Sequence, residues 1–145
     1  MDNKIICLLD ISGFIYRAYY ATPNITHNNI EVGALFGFCS EIIKVLSEFK
    51  NCIFVAAMDS ARHTFRNDIY PEYKSNRKHM PEDLAQQLPL IHDCCEHFGF
   101  NIVKCSNYEA DDIIASFVNH YNKTICKIIH VRICQVSLHQ IIRYF

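Results

Sequence analysis

Two short apolar runs, each stopped by an aspartate, constrain this chain more than any other feature. Ile5-Ile6-Cys7-Leu8-Leu9 ends at Asp10, and Cys52-Ile53-Phe54-Val55-Ala56-Ala57-Met58 ends at Asp59. A half-buried strand alternates apolar and polar residues, so uninterrupted runs of this length read as strands buried on both faces. Asn101-Ile102-Val103-Lys104-Cys105 reads as a third strand and Ile125 to Val131 as a fourth. Ser12-Gly13 supplies turn chemistry after the first. Between the runs the apolar period changes to three and four. Leu35, Phe38, Ile42, Val45, Leu46 and Phe49 form one helical stripe. Leu84, Leu88, Ile91, Cys95 and Phe98 form a second, with Pro81-Glu82-Asp83 as its first turn and Gly99 at its C-cap. Pro89 falls inside that stripe and is expected to kink it or break it in two. Ala110, Ile113, Ile114, Phe117 and Tyr121 make a third. Strands alternating with helices imply βαβ crossovers, hence an α/β fold with a parallel sheet flanked by helices on both faces.

At 145 residues, half of them apolar, the chain fits one domain with a real core. Its formal net charge of −1 argues for no partner, but the charge is unevenly spread. All 15 acidic residues lie at or before Asp112, while Ile113–Phe145 carries Lys123, Lys127, Arg132 and Arg143. The eight cysteines include no Cys-x-x-Cys pair, which speaks against a zinc ribbon. The five-residue apolar run near the N-terminus is too short for a signal peptide or a membrane span. The expectation is a cytoplasmic protein with reduced cysteines and no membrane partner.

Open parallel sheets bind ligands beyond the carboxyl ends of their strands. Asp10 and Asp59 close two strands, and Glu109-Ala110-Asp111-Asp112 opens the helix after the third. Five carboxylates from three distant segments are therefore expected at one edge of the sheet. Crowded like charges are costly unless a cation neutralises them, and hard oxygen donors suit Mg²⁺ or Mn²⁺. Taken singly, the same acids also fit turn residues and helix-dipole partners.

From Ala61 to Pro81 the character changes. Arg62, His63, Arg66, Lys74, Arg77, Lys78 and His79 interleave with Phe65, Tyr70 and Tyr73. Such a stretch is either a solvated connection or a surface whose cations grip phosphates and whose rings stack on bases. Arg17, just past the first strand, is either a surface residue or a further phosphate contact.

Together these pieces resemble the 5′→3′ exonuclease family of DNA polymerase I and the flap endonucleases. The resemblance rests on Leu8-Leu9-Asp10-Ile11-Ser12-Gly13 with Tyr16-Arg17-Ala18, on Gly33-Ala34-Leu35-Phe36-Gly37, and on Ala57-Met58-Asp59 with Thr64-Phe65-Arg66. It continues through Tyr70-Pro71-Glu72-Tyr73-Lys74-Ser75-Asn76-Arg77 and Met80-Pro81 to Tyr108-Glu109-Ala110-Asp111-Asp112-Ile113. It implies a PIN/5′-nuclease-like sheet with a helical-arch insertion at about 61–81. It implies that Asp10, Asp59, Glu109, Asp111 and Asp112 bind the catalytic metals, with Lys74 and Arg77 steadying the scissile phosphate at the base of the arch. It implies DNA contacts by Arg17, Arg66, Tyr73, Lys74 and Arg77, and a monomeric enzyme acting on 5′ ends, flaps and RNA primers in replication and repair.

The resemblance spans residues 1–121. Residues 122–145 depart from it: Lys127-Ile128-Ile129-His130-Val131 stands where the family has its next strand, but no carboxylate follows. A frameshifted tail and a genuine short variant are the two explanations, the frameshift preferred. Either predicts loss of the second metal's ligands and impaired cleavage. A PIN-like ribonuclease and a non-catalytic nucleic-acid-binding remnant are the alternative functions.

Overall fold

The computed structural model describes residues 5–60, 63–121, 127–133 and 140–144. Ala61 and Arg62 of the basic stretch, and Ile125 and Cys126 of the expected fourth strand, lie outside them. A five-stranded sheet forms the centre. Strand β1 (Ile5–Asp10) pairs in parallel with β4 (Cys52–Met58) on one side and with β6 (Lys127–Ile133) on the other. Strand β5 (Asn101–Lys104) continues the sheet in parallel beyond β4. At the other edge β7 (Gln140–Tyr144) runs antiparallel to β6, so the sheet is mostly rather than wholly parallel. The order β5-β4-β1-β6-β7 reverses direction across β1, and such a switch is where a ligand crevice opens.

The uninterrupted apolar runs find their reason in two cores. Successive side chains of a strand point to opposite faces. Cys7 and Leu9 of β1 pack with Ala56, Ile129 and Val131 against helices α1 (Ile11–Ala21), α2 (Gly33–Glu48) and α4 (Glu82–His97). Ile6 and Leu8 pack with Val55, Ala57 and Ile128 against Ala110, Ile113 and Ile114 of helix α5 (Ala110–Tyr121). Helices thus cover both faces, as the strand pattern requires.

Four local expectations need correction or addition. Ser12-Gly13 is not a turn. Asp10 caps α1 directly, its Oδ1 accepting the Gly13 N–H at 3.3 Å, and the pair forms the helix's first turn. Pro89 does not break its stripe, because α4 is one helix in which Leu84, Gln87, Ile91 and Cys95 on both sides of the proline are buried. The packed face offsets the one lost N–H donor. A hairpin of β2 (Thr26–His27) and β3 (Ile30–Glu31) precedes α2, turning at Asn28-Asn29, both with positive φ. Within the expected arch the described residues hold one short helix, α3 (Phe65–Ile69), followed by consecutive turns. The expected C-cap glycine is present: Gly99 has φ +77°, and bonds from Gly99 N to Glu96 O and from Phe100 N to Cys95 O close the Schellman pattern.

Helices α2 and α4 are joined by a buried amide. Gln87 Oε1 accepts the Leu35 N–H at 3.1 Å, capping an α2 that has no side-chain cap of its own. Its Nε2 donates to Asp83 O at 3.0 Å, so both ends of the amide are used.

Candidate active site

Strand ends β1 and β4 bring Asp10 and Asp59 to the carboxyl edge of the sheet, and the turn after β5 brings Glu109 beside them. Asp59 connects the three segments. Its Oδ2 accepts the Ser12 hydroxyl at 2.7 Å, and its Oδ1 accepts the Ala110 N–H at 2.8 Å. Asp10 is nearly buried and turns inward as the α1 cap. Asp112 folds back to accept the Glu109 N–H at 3.0 Å. Asp111 is exposed and makes no hydrogen bond or ion pair among the described residues, so it stands off this cluster.

The basic stretch closes onto this edge. Arg66 from α3 grips Asp112 with both terminal nitrogens, each at 2.6 Å, and its Nη1 lies 3.8 Å from Glu109. Fork-to-fork pairing of this kind is the strong form of an ion pair. It holds the Asp112 carboxyl below its usual range, with help from the Glu109 amide, and raises the guanidinium's own pKa. Lys74 Nζ lies 2.7 Å from Glu109 Oε1, and the Tyr73 hydroxyl donates to Glu109 Oε2 at 3.2 Å. The Tyr73 ring sits 5.0 Å from that ammonium, a cation–π contact.

The segment is held in place from its backbone. Phe65 N–H donates to Asn107 O at 3.1 Å, and Asn67 Nδ2 donates to Tyr73 O at 3.1 Å. Lys74 itself has φ +54°, the left-handed region that a long side chain rarely adopts. Turn bonds on either side, Tyr73 N to Tyr70 O and Arg77 N to Lys74 O, hold it there. A strained backbone at a residue whose side chain meets a carboxylate is typical of functional positions.

Of the expected site residues, Asp59, Glu109, Asp112, Arg66, Tyr73 and Lys74 come together. Arg77 is exposed three residues beyond Lys74. Arg17 lies on α1 about 10 Å along the helix from Asp10, lining a groove toward α2 with Ser40 and Glu41. Ser12 was not singled out from sequence as a partner of Asp59; a serine two residues past a strand-ending aspartate was the available signal. Nor was Asn107, whose φ of +68° sets the approach to Glu109.

The donor set of the edge is all oxygen, which suits a hard divalent cation. Among the described residues no three His, Cys, Asp or Glu side chains converge on one point. The acids here are spaced by Arg66, Lys74, Tyr73 and Ser12, which occupy their oxygens. The residues fit a cation by chemistry, and their oxygens are shared with protein donors.

Acids from three segments at the carboxyl edge of a mostly parallel sheet, faced by a lysine and an arginine, define an α/β domain equipped for a charged ligand. Residues 5–135 match the family described as 5'-3' exonuclease, N-terminal resolvase-like domain, and the chain belongs to that family. The matched span runs past Tyr121 and includes β6. DNA polymerase I of Caldicellulosiruptor bescii is 37% identical over 120 residues, covering 82% of this chain and 14% of that protein. A 5'-3' exonuclease of Buchnera aphidicola subsp. Baizongia pistaciae is 36% identical over 122 residues, covering 83% of this chain and 40% of that protein. DNA polymerase I of Treponema pallidum is 33% identical over 131 residues, covering 88% and 13%. The chain therefore spans less than half the length of these curated relatives. Among the described residues no helix is long and apolar enough to cross a membrane.

Proposed function

We propose that this chain is the N-terminal part of a 5′→3′ exonuclease that hydrolyses phosphodiester bonds at the 5′ ends and flaps of DNA. One observation carries the reading: the cation-bearing segment Phe65–Arg77 lies directly on the acidic sheet edge, through Arg66–Asp112 and Lys74–Glu109. A phosphodiester needs both charges close together, acids to hold a cation and cations to hold the phosphate. Asp10, Asp59, Glu109 and Asp112 would hold Mg²⁺ or Mn²⁺ directly or through water, and Asp111, which stands off the cluster, through water. Bound there, the cation would supply an activated water and offset charge on the reacting phosphate. Lys74 and Arg77 take the phosphate oxygens, and Tyr73 and Arg66 steady Glu109 and Asp112 while contacting the strand. Arg17 extends the phosphate track along α1. The substrate context is replication and repair, RNA primers included, and the chain acts as a monomer.

No acid follows Asp112 in these 145 residues, so ligands for a second cation are not among them. Cleavage by this chain alone is therefore weak. Residues 122–145 are read as a divergent, frameshifted tail, although its first part, with β6, still falls within the family match and pairs with β1.

The test uses a 5′-flap DNA with labelled 5′ end, incubated with the chain in Mg²⁺, Mn²⁺ or EDTA. Slow release of short 5′ products, dependent on the cation and abolished by Asp59→Ala, supports the reading. Salt-sensitive flap binding without cleavage in any metal makes it a binding remnant instead. Preferential cutting of single-stranded RNA makes it a PIN-like ribonuclease.

A further inference from the structure

Away from the acidic edge, two thiols face each other across a helix interface. Cys39 on α2 and Cys94 on α4 bring their sulfurs within 3.8 Å. Neither residue is fully buried. The bond between Gln87 and the Leu35 amide fixes the same two helices against each other one turn of α2 away. The pair is thus held in register by a contact that does not involve sulfur. Neighbouring Cys95 points into the core, fully buried, its thiol pushed up to about 12 by that burial, so it is no competitor.

We propose that Cys39 and Cys94 form a reversible redox-modification site, in which a small aliphatic disulfide of the glutathione class oxidises the pair to a cross-link between α2 and α4. Burial and the adjacent Cys94 push the Cys39 thiol up to about 11. The Cys94 thiolate attacks one sulfur of the reagent, forming a mixed disulfide and expelling one thiolate. Cys39 then loses its proton and attacks the Cys94 sulfur, expelling the second. The protein loses two hydrogens and two electrons, and the reagent gains them as two free thiols. Proximity favours the second step, because the attacking sulfur already touches its target. The cross-link closes a long loop that contains β4 and the whole basic stretch, and joins its two ends.

The whole chain is treated at neutral pH with oxidised glutathione, blocked with an alkylating reagent, digested and mapped by mass. A peptide pair joining Cys39 to Cys94, lighter by two hydrogens and reversed by dithiothreitol, is expected. The unfolding midpoint should rise by several degrees with it. Cys39→Ser should instead retain a glutathione adduct on Cys94. Four results overturn the proposal: a stable adduct on Cys94 of the unaltered chain, a link from Cys94 to Cys95 or exposed Cys105, a link that forms only in denaturant, or no reaction at Cys94 while Cys105 is fully modified. The map of the unaltered chain decides the matter even if the serine variant fails to fold. Nuclease activity plays no part in this readout.

Discussion

Asp59 at the end of β4 is held by neutral donors, whereas Glu109 and Asp112 at the start of α5 are held by cations. A backbone amide contacts Asp10, and a hydroxyl and a second amide contact Asp59. The hydroxyl and the amide orient the Asp59 carboxylate without bringing a counter-charge to it. Arg66 and Lys74, arriving from a segment 35 to 46 residues away in sequence, cancel the charge of Asp112 and Glu109. The end of β4 thus presents an acid fixed to α1 and α5 by neutral donors. The helix end is a paired site whose charge depends on where the basic segment sits. On the proposed function, a cation would gain most at the first, and a phosphate would compete with the acids of the second for Arg66 and Lys74.

The largest effect should come from the neutral-donor half. Asp59→Ala removes the carboxylate that joins α1, β4 and α5, and should lower flap cleavage by more than about 100-fold, the scale at which even the supports of metal ligands matter. Steady-state rates in Mg²⁺ check this. A loss smaller than tenfold would mean that the strand-end acids are structural only, and the contrast between the halves would fall.

Arg66→Ala tests the paired half through stability. It strips a partly buried Asp112 of its bidentate partner, at a cost of about 1–2 kcal/mol once solvent exposure is allowed for. The pH dependence has a definite sign. Arg66 holds Asp112 below its unfolded value of about 3.9, so the pair stabilises the fold fully above that value. The contribution fades as pH falls through the lower, folded value. Denaturation curves of the two proteins should therefore differ at neutral pH and converge in strong acid. A gap that persists there would assign the loss to packing of the arginine stem.

How much of this was legible in sequence follows the same division. Asp10 and Asp59 could be placed at the sheet edge because an apolar run and its terminating acid lie side by side in the chain. The helices with long stripes, α2, α4 and α5, were legible for a similar local reason. Helix α1 was obscured by Ser12-Gly13, a turn signal that becomes a helix start once Asp10 caps it. The Asn28-Asn29 hairpin was missed because its strands are two residues each, too short to show a period. The pairing of Arg66 with Asp112 and of Lys74 with Glu109 was beyond sequence. Composition showed cations in one segment and acids in another, but their meeting depends on the turn at Lys74 and the bond from Phe65 to Asn107.

A smaller effect is expected at Lys74. Lys74→Met should weaken flap binding modestly and reduce the steepness of its salt dependence by about one counterion, roughly 0.7–0.9 in the log–log slope. Fluorescence anisotropy at several salt concentrations, with Ca²⁺ in place of Mg²⁺, measures it. An unchanged slope would mean that Lys74 stays on Glu109 when DNA is bound.

The smallest effect should be at Ser12, and it bears most directly on the comparison. Ser12→Ala removes the hydroxyl that orients Asp59 but leaves the Ala110 amide on the other oxygen. No charge is lost, and the site is open to water that can replace the hydroxyl. Stability should change by less than about 1 kcal/mol. Cleavage should fall only a few-fold, with the metal concentration needed for half-maximal rate moving in parallel. If Ser12→Ala proves as damaging as Asp59→Ala, orientation by neutral donors matters as much as the charge itself. The strand end would then be a positioned site that a single hydroxyl can disable, and its rigidity would lie in Ser12 rather than in the sheet.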